Sequence, residues 1–280
     1  MRSYPAKLLL FGEHTVLVGS SSIAIPLPMY SMSWEPKRGS HPNWLSEYAS
    51  YLLEDCRDII HPEKLKSHLE DFSIQGNIPI GYGLGSSGAL TAAIYDICGS
   101  DTNHDNYVLH QERMGRMESF FHGQSSGFDP LISYVDRPIY RTRDRYEVGE
   151  RRIHLNVSVG LLDSGLRRTG REKIQLFLDA YEANNEQFFP LIERNSQASF
   201  NLFDPHISLS LNDVKRISKL QLELMDFLIT PEVKELWKLG LETDDYYIKI
   251  CGAGGGGYYL VFADRKIRSL DKALPISWIA

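Results

Sequence analysis

Strands and helices alternate through both halves of this 280-residue sequence, which predicts a mixed α+β or α/β chain. Three observations carry that expectation. Short aliphatic runs bounded by turn residues read as strands. Longer stretches repeat apolar residues at helical spacing. Glycine-rich segments stand between strands and helices in both halves. No internal repeat or low-complexity linker interrupts the pattern, and the charged stretch from Arg141 to Arg152 suggests a boundary near 150, giving domains 1–150 and 151–280.

In chain order, 7–11 and 22–27 read as buried strands around a turn-rich segment. Helical spacing follows at 43–56 (Trp44, Tyr48, Tyr51, Leu52) and at 62–71 (Leu65, Leu69), then a short strand at 72–76. A glycine-rich loop covers 79–88 and leads into a helix from about Ser87 to Cys98. A further helix spans roughly 104–121, with Val108, Met114, Met117 and Phe121 on its apolar side. After a Gly/Ser loop at 123–127, strand-like runs fall near 132–135 and 138–141, and 141–152 reads as a solvated turn or hairpin. In the second half, 153–162 reads as a strand, 171–192 and 211–228 as helices, and 248–251 and 258–262 as strands around a run of glycines.

Composition narrows the function. Hydrophobic residues make up 42% and charged residues 24%, as in an ordinary globular chain, and the formal net charge is −6. An acidic chain with no Lys/Arg block lacks the basic footprint of nucleic-acid binding, whereas an anionic small molecule needs only a few cations and backbone N–H groups. Cys56, Cys98 and Cys251 are odd in number and widely spaced, which fits reduced thiols, not a disulfide framework or zinc site. The apolar run Leu8 to Phe11 is shorter than the about 7–15 residues of a secretory core. No stretch approaches the about 18 apolar residues of a membrane span. The expected location is cytoplasmic, with no membrane partner.

The strongest chemical signal is Pro79-Ile80-Gly81-Tyr82-Gly83-Leu84-Gly85-Ser86-Ser87-Gly88-Ala89. Alternating glycines allow close backbone approach, and two hydroxyls follow at a helix start, where free N–H groups and the helix dipole favour phosphate. It is not a Walker A loop, because no lysine lies between Gly81 and Thr91. It is not a dinucleotide fingerprint either, because the third position is Ser86, and Asp101 sits in a polar loop.

Three weaker signals accompany it. Lys7 heads an apolar strand that ends in Gly12-Glu13-His14; taken alone, Lys7 reads more readily as a snorkelling surface lysine. Glu118 and Asp129 lie 11 residues apart across the Gly123–Gly127 loop. Two separated carboxylates can divide the work of phosphoryl transfer, one toward a bridging cation and one toward the attacking hydroxyl, although a helix acid and a turn acid have the same spacing. Cys251 to Gly257 carries more glycine than a hairpin needs, which favours close approach of a ligand or another loop.

In this order the four pieces resemble the GHMP kinases. Residues 79–89 match that superfamily's P-x-G-x-G-L-G-S-S-[AG]-A loop, and Gly252 to Gly257 its C-terminal glycine motif. Within it, Lys7 to Gly19 and Glu118 to Asp129 are similar to the patterns of the mevalonate kinases, and Leu162 to Thr169 resembles a segment in which an arginine serves the substrate. Val16 stands where galactokinases carry a sugar-binding aspartate, Lys7 argues against the decarboxylases of the fold, and His14 against phosphomevalonate kinases. Departures are the short interval between the first two motifs, Ala6 for a glycine, Gly165 for a lysine, and Tyr258-Tyr259 after the last glycines.

The resemblance implies an N-terminal domain like domain 2 of ribosomal protein S5, a C-terminal ferredoxin-like GHMP domain, and ATP with Mg2+ as cofactors. It implies that Pro79, Gly81, Gly83, Leu84, Gly85, Ser86, Ser87, Gly88, Gly254 and Gly255 meet ATP, and that Ser87 and Glu118 hold the metal. Asp129 would orient or accept the hydroxyl proton and Lys7 would stabilise transferred charge, with Glu13, His14, Ser126 and Arg168 toward a mevalonate-like hydroxy acid. The chain is then a monomer or homodimer. A GHMP kinase for phosphomevalonate, homoserine or a sugar, and a catalytically silent GHMP-fold regulator, stand as alternatives.

Overall fold

The computed structural model describes residues 1–100, 106–150, 152–153, 155–167, 170–267, 270 and 273–279. The chain begins with strand β1 (Ser3–Phe11), a 3-10 turn (Thr15–Val18) and the long strand β2 (Ser22–Pro36). Helices α1 (Asn43–Asp55) and α2 (Pro62–Asp71), strand β3 (Phe72–Gly76) and helices α3 (Ser86–Cys98), α4 (Tyr107–His122) and α5 (Phe128–Val135) follow, then the hairpin of β4 (Ile139–Arg141) and β5 (Tyr146–Val148). The second half runs through β6 (Ser158–Asp163), α6 (Gly170–Ala183), α7 (Asn185–Phe203), α8 (Leu211–Leu224), a 3-10 turn (Asp226–Leu228), α9 (Pro231–Thr243), β7 (Tyr247–Ile250), β8 (Tyr258–Ala263) and β9 (Ile276–Trp278). Among the described residues, no helix is long and apolar enough to cross a membrane.

The strands form two sheets. One has the order β1-β2-β4-β5 with β3 also on β2, and the other has the order β7-β8-β6-β9. β2 pairs antiparallel with β4 over Ser22–Ala24 and with β3 over Met32–Pro36. Pro26 and Pro28 fall between these registers, where their missing N–H groups cost no bond to either strand.

The contacts divide the chain into two units, and the division is not a single cut. Unit 1 is Met1–Lys7, Pro26–Pro79 and Leu84–Arg137; unit 2 is Leu8–Ile25, Ile80–Gly83 and Pro138–Ala280. Unit 1 buries Trp34, Tyr48, Leu52, Leu65, Ala93, Met114, Met117 and Leu131, and Trp34 donates its indole N–H to the Ala93 carbonyl at 3.1 Å. Unit 2 buries Phe177, Leu191, Ile217, Trp237, Ile248 and Tyr259, and Trp237 donates to Ser218 Oγ at 2.8 Å. Both tryptophans thus find a hydrogen-bond partner inside an apolar core.

Several elements differ from the sequence expectations: β2 runs on to Pro36, beyond the expected 22–27, and the helix expected at 211–228 ends at Leu224 before a 3-10 turn. The strand expected at 132–135 lies within helix α5, whose Leu131, Ile132, Ser133 and Tyr134 are consecutively buried. A short apolar run does not separate a buried helix from a strand; Asp129 in the first turn and Pro130 beside it settle the helix locally. The single helix expected at 171–192 is two, α6 and α7, with non-helical backbone at Asn184 (φ −148°, ψ 48°) between them. Helix α9, opened by Pro231 after Thr230, and strand β9 were not expected. Asp101 lies outside the described residues.

Candidate active site

In unit 1 the residues of three separate motifs converge. Lys7, the last residue of β1 within this unit, places Nζ 2.9 Å from Asp129 Oδ2 in the first turn of α5. The backbone joins the same place to the glycine loop, because Lys7 N–H donates to the Leu84 carbonyl at 2.9 Å. Two glycines make the approach possible. Gly85 has φ +69°, and a Cβ there would stand 2.9 Å from Lys7 Cγ and 3.3 Å from Asp129 Oδ2. At Gly88 a Cβ would stand 2.8 Å from both the Asp129 carbonyl carbon and Pro130 N, so any side chain would force α3 away from α5.

Ser87 and Glu118 are linked across α3 and α4: Ser87 Oγ donates to Glu118 Oε1 at 2.8 Å. Ser125 Oγ donates to Glu118 Oε2 at 2.5 Å and accepts from Gly127 N–H at 3.0 Å. His122 Nε2 also lies 3.0 Å from Ser87 Oγ. Glu118 is only 3% exposed. Burial first, then the neighbouring charge of Asp129, pushes its carboxyl up to about 7, while the bonds from Ser125 and Ser87 and the charge of Lys7 pull it back.

The start of α3 suits an anion. No side chain caps it, and its backbone ladder opens with Ala89 N–H to the Gly85 carbonyl at 3.0 Å, leaving the amides of Ser86, Ser87 and Gly88 ahead of the ladder. The donors for a metal also fit Mg2+: a hydroxyl and a carboxylate are hard oxygen ligands, and Glu118 is a buried acid whose raised proton affinity a divalent cation would oppose. Among the described residues, no cluster of three or more His, Cys, Asp or Glu could hold a metal by itself.

Of the remaining expected residues, Pro79 and Ser126 lie in unit 1 and Glu13, His14, Gly81, Gly83, Gly254 and Gly255 in unit 2. Pro79 closes the unit 1 segment before the loop, whereas Gly81 and Gly83 fall in the short stretch that packs with unit 2. There Gly81 lies along the aliphatic stem of Arg167, and the rings of Tyr82 and Tyr258 meet at 5.0 Å between centroids. Gly254 faces the Leu228 carbonyl, which accepts from Gly255 N–H at 2.7 Å. Glu13, expected at the substrate, is fully buried with its Oε1 2.6 Å from Lys249 Nζ. His14 Nε2 stands 3.0 Å from the Ala253 carbonyl. Ser126 lies beside Glu118's partner Ser125, and its carbonyl accepts from Gln111 Nε2 at 2.6 Å. Arg168 lies outside the described residues.

Sequence reasoning missed Ser125, His122 and Lys249. The first two stand within a few residues of Glu118 or Asp129, where the loop could have been searched for a third hydroxyl or imidazole. Lys249 gave one signal only, a lysine inside an otherwise apolar strand.

Known proteins resemble the chain in both sequence and fold. Residues 47–137 match the family model described as "GHMP kinases N terminal domain". The mevalonate kinase of Pyrococcus abyssi is 26% identical over an alignment 317 positions long, gaps included, which covers 99% of this chain and 92% of that protein. The structure of the Methanococcus jannaschii mevalonate kinase superposes with a TM-score of 0.64 at 17% identity, covering 99% of this chain and 96% of that one. Streptococcus pneumoniae phosphomevalonate kinase, in complex with phosphomevalonate and AMPPNP, gives 0.63 at 14% identity, covering 100% and 98%. This chain therefore carries a GHMP kinase N-terminal domain and has the GHMP kinase fold.

Proposed function

We propose that this protein is an ATP-dependent small-molecule kinase that phosphorylates the hydroxyl of mevalonate. The observation that carries the proposal is the Lys7–Asp129 pair, in which a partly exposed carboxylate, 36% accessible, is held 2.9 Å from a lysine beside the Ser87–Glu118 link. Asp129 is open enough to meet a hydroxyl and to take its proton as the oxygen attacks. Lys7 stands at the same point and stabilises negative charge on the transferred group. The amides of Ser86, Ser87 and Gly88 offer donors to phosphate oxygens at the start of α3. Ser87 and Glu118 would hold Mg2+, which when bound neutralises phosphate charge.

The choice of mevalonate rests on the sequence likeness to mevalonate kinases and on the residues from Lys7 to Gly19. Fold alone does not choose, since the mevalonate and phosphomevalonate kinases superpose almost equally well, at 0.64 and 0.63. A coupled assay with ATP and Mg2+ on mevalonate, phosphomevalonate, homoserine and galactose tests it. The highest kcat/KM is expected for mevalonate and no turnover for galactose. Preference for another acceptor would move the substrate and leave the kinase in place; no phosphorylation of any of the four would remove both.

A further inference from the structure

Unit 2 contains a charged pair that the proposed transfer does not use. Lys249 in β7 and Glu13 after β1 both have side chains of 0% exposure, and Lys249 Nζ donates to Glu13 Oε1 at 2.6 Å. The same ammonium donates to the Ile250 carbonyl at 2.9 Å and stands 5.3 Å from the centre of the Phe11 ring. One cation therefore fixes two distant segments of the chain at once.

Each segment leads directly into a motif. Glu13 is followed by His14, a non-glycine residue at φ +58°, a conformation kept only where the surroundings over-determine it. The His14 ring lies 5.0 Å from Phe177, and Nε2 lies 3.0 Å from the Ala253 carbonyl. Ile250 is followed by Cys251 and the glycine turn, whose Gly255 and Gly257 N–H groups donate to the carbonyls of Leu228 at 2.7 Å and Leu166 at 2.6 Å. Burial of both charges argues against a role in stability alone, because two apolar side chains of similar volume fill such a space at equal or lower cost. Apolar side chains do not set a register, whereas an ammonium with three directed donors does.

We propose that Glu13 and Lys249 are a positioning pair, which locks the Gly12–His14 turn to the Ile250–Gly257 turn and so presents His14 and the glycine backbone in one fixed arrangement, without touching a ligand. The inference deepens the kinase reading and rests on it only where kinetics are measured. The test is the full chain carrying Glu13→Leu with Lys249→Met, which removes both charges together. Amide hydrogen exchange and steady-state kinetics are compared with the parent at matched folded fraction. The expected result is a folded variant in which Gly255 and Gly257 exchange at least about tenfold faster while the β8 amides stay protected. The KM for the hydroxy acid should rise about tenfold, with a smaller change in kcat. Glu13→Gln, which keeps the shape and one acceptor oxygen, should lie between the two. Parental exchange at the turn in a folded variant would overturn the proposal, as would failure of both variants to fold, which would make the pair a requirement of folding. A parent inactive on every acceptor would remove the kinase reading, and the exchange measurement would still decide the role of the pair.

Discussion

Two lysine–carboxylate pairs occupy the two units, with similar lengths and opposite surroundings. Lys7 and Asp129 meet at 2.9 Å with side chains 12% and 36% exposed. Glu13 and Lys249 meet at 2.6 Å with neither exposed at all. A group that must exchange a proton with a substrate needs a path to it, so the half-open pair suits chemistry. A pair sealed from water has nothing to react with, and its strength lies in the large penalty for separating it. In the proposed reading the same residue types serve transfer in one place and register in another, and burial tells them apart.

The comparison is broken most strongly at the sealed pair. Lys249→Met leaves Glu13 buried without its cation, and loss of one partner of a buried pair costs about 3–5 kcal/mol. Urea unfolding should show that loss, and Glu13→Leu in the same chain should restore most of it. An unchanged urea midpoint in Lys249→Met would show that the pair carries no such penalty for losing one partner.

At the open pair the effect falls on rate. Asp129→Asn keeps the shape and removes the charge, and kcat should fall by at least about 10²-fold while the urea midpoint shifts little, because the side chain is partly exposed. Lys7→Met should also lower kcat, and the double variant should be less impaired than the product of the two single losses, since paired groups act as a unit. An Asp129→Asn protein with near-parental kcat would take this residue out of the mechanism and leave Glu118 as the carboxylate to test.

A smaller effect belongs to Gly85. An alanine there adopts a left-handed conformation at a cost of about 1–2 kcal/mol, and its Cβ crowds Lys7 Cγ and Asp129 Oδ2. Gly85→Ala should therefore lower kcat roughly tenfold as well as the melting temperature. A change in stability with unchanged kcat would mean that the loop yields without moving the pair.

The mildest test uses pH. Burial and the Asp129 charge raise the folded-state value of Glu118 from 4.5 to about 7, so the folded protein binds the proton more tightly than the unfolded chain. Below about pH 4.5 both states are protonated and this group costs nothing. Between 4.5 and 7 the unfolded chain ionises first, so stability falls as pH rises, by at most about 1.4 kcal/mol per pH unit. Above 7 the cost is constant. In metal-free protein, Glu118→Gln should flatten this slope in a series of urea titrations; an unchanged slope would assign it to another group.

Much of the fold was legible because its local signals agree. Helices α1 and α2 have bounds within a residue of those expected, since apolar spacing and Pro62 at the first helical turn point the same way. The glycine loop before α3 was legible because few other structures require that order of residues. Helix α5 was not, because a run as short as Leu131 to Val135 satisfies either period. The two-unit division was not legible as a cut near 150, since Leu8–Ile25 and Ile80–Gly83 join unit 2 through contacts distant in sequence.

By itself the sequence determined the chemistry on offer: a helix start with two hydroxyls after alternating glycines, a lysine in an apolar strand, and two acids separated by a tight loop. These follow from local rules, because backbone freedom, helix ends and side-chain type are set within a few residues. Only the tertiary structure decided which charges meet. It brought Lys7 to Asp129 across 122 positions and Glu13 to Lys249 across 236, left the first pair half open, and sealed the second. Burial is a property of the packed whole, and no local pattern distinguishes a lysine that will face a substrate from one that will face a buried acid.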